Sequence, residues 1–355
     1  MERSLNTPSS KVNYNIIDLM KLIMAICVVV IHRPIFASET ANSVFRLSIC
    51  SISVPFFFIS TGFFFGKSMM RDSSPKSFFK SFKRVFLLYL IWTIIYFPII
   101  YYAKYIGSFP VVDVKHIVGF AAVFVKDFLI KTSFVHFWYL ISVVWAMPII
   151  YLLTKKIKPL VLTAVSAVIA VVFNFASVYG NDYPLIGNIY NAIPLAFQNV
   201  FSIGLTSVLI GYCFAQKEDR KSSGKFMQCA ALIILVAADI ALVIINSKDG
   251  KIFNVLHKPY TMAAAALLFS VLLDVKVKNT KVCKELRKYS TIIYCCHLMI
   301  FTDWIKDFFA FLGLNFGSFE PFAIFAVTCI YSFAISAIII NLAKIPKLKF
   351  LRYLY

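Results

Sequence analysis

Ionisable side chains at regular spacing interrupt an apolar stretch at residues 16–36. At 100° per residue, Asp18, Lys21 and His32 lie along one face of a helix, with ~16 Å of rise between Lys21 and His32. Charged groups at membrane depth are costly and are kept mostly for function. A histidine can take a proton from a hydroxyl near neutral pH, and a lysine can attract an anion. The stripe therefore predicts a functional face with a cation near one end and a base near the other.

Each of these residues also has an ordinary structural interpretation. His32 can be an interfacial histidine that hydrogen-bonds lipid headgroups. Lys21 can extend its ammonium to the nearest membrane surface, and Asp18, three residues earlier, can pair with it. Residue type and position alone leave both interpretations open.

The rest of the chain must form the scaffold that holds this helix. It has 355 residues, of which 60% are hydrophobic, and a mean hydropathy of +0.81. Its uncharged runs are long enough to cross ~30 Å of hydrocarbon as helices. We therefore predict an all-α polytopic membrane protein, a single domain built as a bundle of about ten transmembrane helices. The predicted spans are 16–36, 44–65, 85–103, 136–153, 159–179, 193–215, 228–246, 259–275, 290–311 and 321–343.

Basic residues are distributed unevenly between the predicted loops. Most of the 36 lysines and arginines fall in the tails and in every second loop, whereas loops 37–43, 180–192 and 312–320 contain none. The positive-inside rule assigns the basic side to the cytoplasm. Both termini are therefore predicted to be cytoplasmic, with tails at 1–15 and 344–355, in a cell (plasma) membrane.

The longest connection, 104–135, is predicted to be an extracytoplasmic loop that can lie over the outer face of the bundle. Its segment 116–130 is short for a span and contains Lys126 and Asp127. Counting it as a span would invert every later loop and destroy the charge pattern. It is therefore predicted to be an amphipathic or re-entrant segment.

Charge and cysteine content exclude several other classes of protein. The net charge of +20 is explained by topology and by attraction to anionic lipid headgroups, so membrane lipids, and not nucleic acid, are the expected partners. The eight cysteines lie mostly in apolar spans without paired spacing, which predicts neither disulfides nor a metal site. The first helix lacks a cleavage motif and is expected to be retained. The oligomeric state stays open.

Other motifs follow the first helix in a fixed order. In chain order they are the small-residue segment 57–63 with Ser60 and Gly62, the basic pair Lys83–Arg84 followed by Tyr89, His136-Phe-Trp138-Tyr139-Leu140, Gly204 with Gly211-Tyr212, and Ser290-x3-Tyr294-x2-His297. Together with Asp18, Lys21 and His32, this set resembles the acyltransferase-3 family of membrane acyltransferases. That family typically has Asp-x-x-Arg in its first helix, with ten residues between the arginine and a histidine. Lys21 departs from this pattern, because lysine cannot form the bidentate fork that arginine offers a phosphate.

The resemblance implies an enzyme that transfers an acyl group, often acetyl, from cytoplasmic acyl-CoA to a hydroxyl on the far side. Such acceptors are commonly cell-envelope glycans, and acyl-CoA is a cosubstrate, with no further cofactor expected. On this hypothesis His32 is the catalytic base, while Lys21 and Arg84 attract the CoA phosphates. Proton-coupled transport of a small molecule or an amino acid by the same membrane module is the main alternative.

Two further histidines and two aromatic residues are candidates for the site. His136 begins the fourth predicted helix on the side of His32, where it can orient the imidazole, bind the acceptor or anchor to headgroups. Trp138 and Tyr139 fit an aromatic belt or a surface that stacks on a sugar. His297 is predicted about two turns into the ninth helix from the cytoplasmic side. It is either bonded to a neighbouring carbonyl or in contact with the acyl-CoA arm.

Charged residues elsewhere in the spans have weaker signals. Asp239 in the seventh span has no partner that the sequence reveals, so it is either protonated or paired across the bundle. Asp303, Lys306 and Asp307 are helical neighbours and are expected to neutralise one another. His116 and His257 are predicted to lie in outer loops and have no specific signal.

Overall fold

The computed structural model describes residues 14–107, 114–216, 224–245, 251–275, 277 and 281–355, and it contains no β-strand among them. The first thirteen residues of the predicted tail 1–15, and part of the loop 104–135, lie outside the described residues. Most of the described residues are helical. The first five are α1 Asn15–His32, α2 Glu39–Val44, α3 Ser53–Arg71, α4 Pro75–Ile100 and α5 Val114–Ile130. They are followed by α6 Trp138–Leu153, α7 Pro159–Tyr179, α8 Pro184–Ala192, α9 Leu195–Asn199 and α10 Leu205–Gln216. The last five are α11 Lys225–Ile245, α12 Lys251–Leu273, α13 Lys281–Cys296, α14 Thr302–Phe311 and α15 Glu320–Leu342.

The chain is an all-α polytopic membrane protein. In the part of the chain that the structure describes, nine helical segments are long and apolar enough to cross a membrane, and each overlaps a predicted span. The tenth predicted span, 290–311, is two helices, α13 and α14, separated by residues 297–301. Helix α13 begins nine residues before the predicted span, because its first turns are charged and carry no hydropathy signal.

Helix α4 shows the same early start for a clear local reason. Pro75 occupies its first turn, where a missing backbone N–H costs nothing, and the Ser74 hydroxyl accepts a hydrogen bond from the Ser77 N–H at 3.3 Å. The helix therefore begins ten residues before the predicted span 85–103. Its basic first turns bring Lys83 and Arg84 onto the same continuous helix as the membrane-spanning part.

Glycines allow helices α3 and α10 to pack with their backbones in close approach. A Cβ atom at Gly62 would overlap the carbonyl oxygen of Val208, and one at Gly211 would overlap the carbonyl oxygen of Ile59. Small residues permit such contacts between membrane helices, where hydrophobic burial alone does not drive association. Helix α1 packs against α3, α12, α13 and α15, so the stripe from Asp18 to His32 lies inside the bundle.

The loop 104–135 contains helix α5, which covers the predicted amphipathic segment 116–130. It has 17 residues, fewer than any of the nine spanning segments. The buried carboxylate of Asp127 accepts a hydrogen bond from the Tyr105 hydroxyl at 2.7 Å and pairs with Lys104 at 2.9 Å and Lys131 at 3.3 Å. These contacts join the end of α5 to the chain that follows α4.

Candidate active site

His32 is the last residue of α1 and lies in the wall of a cavity of about 110 Å³. The cavity is built by four helices, and residues from each of them line it. Besides His32 they are Val28, Ile31, Val54, Phe57, His136, Trp138, Tyr139 and Tyr294. The sequence-predicted residues His136, Trp138 and Tyr139 thus share one cavity with His32.

Three histidines converge at this place. The ring centroids of His32 and His297 are 5.2 Å apart, and those of His136 and His297 are 5.0 Å apart. His136 comes from the turn before α6, and His297 follows directly after α13. The predicted depth of His297, two turns from the cytoplasmic side, is wrong. Because α13 begins at Lys281, His297 lies at the opposite end of its helix, beside His32.

Hydrogen bonds to backbone carbonyls fix the tautomers of two of these histidines. His136 Nε2 lies 3.0 Å from the carbonyl oxygen of Cys295, and His297 Nδ1 lies 2.8 Å from that of Tyr294. A carbonyl oxygen only accepts, so each of these nitrogens carries the proton. The other nitrogens, His136 Nδ1 and His297 Nε2, are buried acceptors without a partner among the described residues. His136 lines the cavity, whereas His297 is fully buried behind it and is not among the lining residues.

Within the described ranges, no group of three or more histidine, cysteine, aspartate or glutamate side chains has a geometry that could hold a metal ion. Imidazoles can act as acid–base or hydrogen-bonding groups near neutral pH.

Side-chain hydrogen bonds stabilise the non-helical segment 297–301 between α13 and α14. The guanidinium of Arg33 donates to the hydroxyl of Thr302 and, at 2.8 Å, to the carbonyl oxygen of Ile300. The hydroxyl of Tyr331 donates to the carbonyl oxygen of His297. These bonds satisfy backbone carbonyls that a broken helix leaves without partners. Sequence reasoning missed both residues, although Arg33 directly follows His32.

Two tyrosines fix the opposite wall of the cavity. The Tyr139 hydroxyl is hydrogen-bonded to the Thr61 hydroxyl at 2.8 Å, and its ring centroid is 5.5 Å from that of Tyr294. The Tyr294 hydroxyl donates to the carbonyl oxygen of His136. Trp138, which is half-buried, adds an indole ring beside them. These rings form an aromatic wall of the cavity that His32 and His136 also line.

The predicted donor-binding residues form a separate group at the other end of α1. Lys21 interacts electrostatically with Asp18, Arg84 and Arg287, and its ammonium lies 4.5 Å from the ring centroid of Phe64. Eleven residues separate Lys21 from His32, which corresponds to ~16 Å along the helix. Of the predicted donor-side residues, Asp18, Lys21 and Arg84 lie together at this end. His297, which was predicted to join them, lies beside His32 at the other end.

The remaining charged residues lie outside the cavity lining. The prediction that His257 lies in an outer loop is wrong. Helix α12 begins at Lys251 and continues through Pro259, so His257 lies within it. Its Nδ1 lies 3.4 Å from Asp239 Oδ1, so the carboxyl is paired across two helices. Lys306 pairs with Glu320 of α15 at 2.8 Å and also interacts electrostatically with Asp303 of its own helix, so its charge is balanced from both α14 and α15.

Comparisons with known proteins agree with the motifs on these helices. The model of the acyltransferase-3 family, described as an acyltransferase domain, matches residues 14–341. A protein described as an amino-acid racemase, from Enterococcus faecalis, is 29% identical over 147 residues, which are 41% of this chain and 19% of that protein. The alignment with this relative thus spans about a fifth of its length. No solved structure matches the chain. The family match covers nearly all of the described bundle, and the chain therefore belongs to the acyltransferase-3 family of membrane acyltransferases.

Proposed function

We propose that this acyltransferase moves an acyl group, specifically acetyl, from cytoplasmic acyl-CoA to a hydroxyl of an extracytoplasmic acceptor such as a cell-envelope glycan. One observation carries the proposal: a single helix presents Lys21 within a cationic group at one end and His32 in an aromatic, histidine-lined cavity at the other. A donor with phosphates suits the first end, and a hydroxyl acceptor suits the second. The membrane in question is the plasma membrane, with the Lys21 end facing the cytoplasm.

His32 is the base in this proposal. None of the hydrogen bonds among the described residues involves its ring, so a nitrogen lone pair can accept a proton from the acceptor hydroxyl. The resulting oxygen attacks the thioester carbonyl carbon, the new C–O bond forms and the C–S bond breaks. The imidazolium then returns the proton to the CoA thiolate. The products are an ester and free CoA.

His136 and His297 assist at the same place. With Nε2 of His136 bonded to a carbonyl, its Nδ1 can accept a hydrogen bond from the acceptor in the cavity. The buried ring of His297 packs against both His32 and His136 and helps to hold them in place. Trp138 and Tyr139 offer flat surfaces on which a sugar ring can stack. These residues position the acceptor hydroxyl for His32, which is where orientation contributes most to rate.

The acyl arm must pass between the two ends of α1. Ala25 and Val29 are buried and pack against Ile293 of α13 between Lys21 and His32. These side chains close the direct path along the helix. Binding of the donor therefore requires α1 and α13 to separate there, or the arm to follow the α3 side of α1, where Val28 and Phe57 already line the cavity.

Acetyl-CoA binding and cleavage test the proposal against proton-coupled transport. The purified protein in detergent is incubated with increasing acetyl-CoA while its unfolding temperature and the release of free CoA are followed. If the protein is an acyl-CoA enzyme, acetyl-CoA should stabilise the folded state, by ~2.7 kcal/mol when its concentration is a hundred times Kd. The enzyme should also release free CoA slowly. No stabilisation and no CoA release, together with substrate-dependent proton flux in vesicles, would favour a transporter that uses the Asp239–His257 pair.

A further inference from the structure

Helix α13 runs beside α1 in the same direction, and this fixes which residues share a level in the membrane. His32 ends α1 and His297 directly follows α13, and their ring centroids are 5.2 Å apart. Going back along the chain, Lys21 lies eleven residues before His32 and Arg287 lies ten residues before His297. At 1.5 Å per residue both are ~15 Å from the histidines. Arg287 therefore lies at the level of Lys21.

Packing between the two helices confirms this register. Ile293 of α13 is buried against Ala25 and Val29 of α1, midway between the two levels. Leu22 and Tyr289, one turn nearer to the Lys21 end, belong to the same group of packed side chains. The two helices therefore stay in step from the histidines to the cationic end.

Three cations at that end interact with one another, and one carboxylate lies near two of them. Lys21 interacts electrostatically with Arg84 and Arg287, and Arg84 and Arg287 also interact with each other. Asp18 is the acid that interacts with both Lys21 and Arg287. Both arginines are exposed. Like charges held this close repel one another, so the arrangement has surplus positive charge that an anion would stabilise.

We propose that Arg287, together with Arg84, binds the phosphate groups of the acyl-CoA nucleotide, and that it supplies the guanidinium which Lys21 lacks. This inference rests on the proposed function, because it assigns a residue to the same donor site. A guanidinium forms two parallel hydrogen bonds to a phosphate, whereas an ammonium acts as a point charge. The fork that the family usually places on its first helix is provided here by α13, one helix away.

The next residue along the chain provides a matched control. Lys288 also carries a positive charge in the first turns of α13, but it is paired with Glu285 at 2.6 Å and lies 5.6 Å from the ring centroid of Tyr355. Its charge is already compensated by the protein. Removing it changes the net charge of the helix by the same amount without removing a phosphate ligand.

The test measures binding of CoA and of pantetheine, which lacks the nucleotide and its phosphates, by thermal stabilisation of the purified protein. We expect Arg287→Ala to weaken CoA binding about tenfold or more, the effect of losing a charged hydrogen-bonding partner, and to leave pantetheine binding unchanged. Arg287→Lys should lose less, and Lys288→Ala should match the wild type. The double variant K21R/R287A should recover part of the loss, because it restores a guanidinium at this level.

Two results would overturn the inference. Equal weakening of CoA and pantetheine binding by Arg287→Ala would show a general structural effect, and unchanged CoA binding would show that Arg287 does not contact the donor. In both cases the wild type still binds CoA, so the proposed function stands. If the wild type itself is not stabilised by CoA, the proposed function fails, and the inference fails with it.

Discussion

Replacing Gly62 with alanine should separate helices α3 and α10 and destabilise the fold. The added methyl group would overlap the carbonyl oxygen of Val208, a backbone atom that no side-chain rotation can move. Over-packing of a tight interior costs about 1–3 kcal/mol when neighbours can adjust. Because the clash here is with a helix backbone, we expect a loss near the upper end, about 3 kcal/mol.

The same substitution should also affect the cavity. Thr61, the residue before Gly62, is hydrogen-bonded to Tyr139 at 2.8 Å, and Phe57 of α3 lines the cavity. A displaced α3 would therefore move one wall of the candidate site. We expect Gly62→Ala to reduce acyl transfer at temperatures where the protein is still folded.

Gly204 provides the control for this experiment. An added Cβ there would meet its nearest neighbours at 3.4 Å, the lower end of ordinary van der Waals contact, and alanine is favoured over glycine in helices by roughly 0.5–1 kcal/mol. Unfolding midpoints of the two variants and the wild type are compared in one detergent. If Gly62→Ala unfolds at the same midpoint as Gly204→Ala, the close approach of α3 and α10 is refuted.

Two more predictions concern the loop 104–135 and the helix break. Burial raises the pKa of Asp127, but hydrogen bonds from Tyr105 and Lys104 outweigh it and hold the pKa below its usual value. Its contribution to stability is therefore complete at neutral pH and is lost as the pH falls through that lowered pKa. Asp127→Asn at pH 7 should mimic the acidic state, with faster hydrogen exchange in α5; unchanged exchange would contradict this. Arg33→Lys should lower the free energy of unfolding by about 1–3 kcal/mol, because one ammonium cannot replace both hydrogen bonds of the guanidinium. Hydrogen exchange at residues 297–301 should become faster. Exchange at the wild-type rate there would show that Arg33 does not stabilise this segment.

The apolar runs were sufficient to predict most of the bundle and part of the site. Nine spans, and the location of His136 on the same side as His32, follow from hydropathy and loop order. These features depend on which helix ends lie on the same side of the membrane, and the order of the spans determines this. The roles of the residues stay predictions.

The position of His297 could not be predicted, because hydropathy reports only where a helix is apolar. The charged turns of α13 before residue 290 carry no such signal, so the start of the helix, and with it the end to which His297 belongs, was misplaced. His257 was misplaced for a related reason. Proline usually ends a helix, but Pro259 lies inside α12.

The sequence also did not reveal which residues contact one another between helices. Gly62 belongs to a recognisable small-residue motif, yet only tertiary packing shows that it meets Val208. Arg287 stands among several basic residues that the positive-inside rule already explains. Its proximity to Lys21 depends on the parallel register of α1 and α13, which is a property of the folded molecule.

The most direct test of the central claim is the rate of acyl transfer after replacement of His32. Membrane vesicles that contain the protein and its native envelope acceptor are supplied with radiolabelled acetyl-CoA, and alkali-labile label on the acceptor is counted. His32→Ala should reduce this rate by about 10²–10⁴-fold, the usual contribution of a general base, while CoA binding stays intact. His116→Ala, which removes a histidine near the start of α5 and outside the cavity lining, should transfer at the wild-type rate. Full transfer by folded His32→Ala would contradict the account.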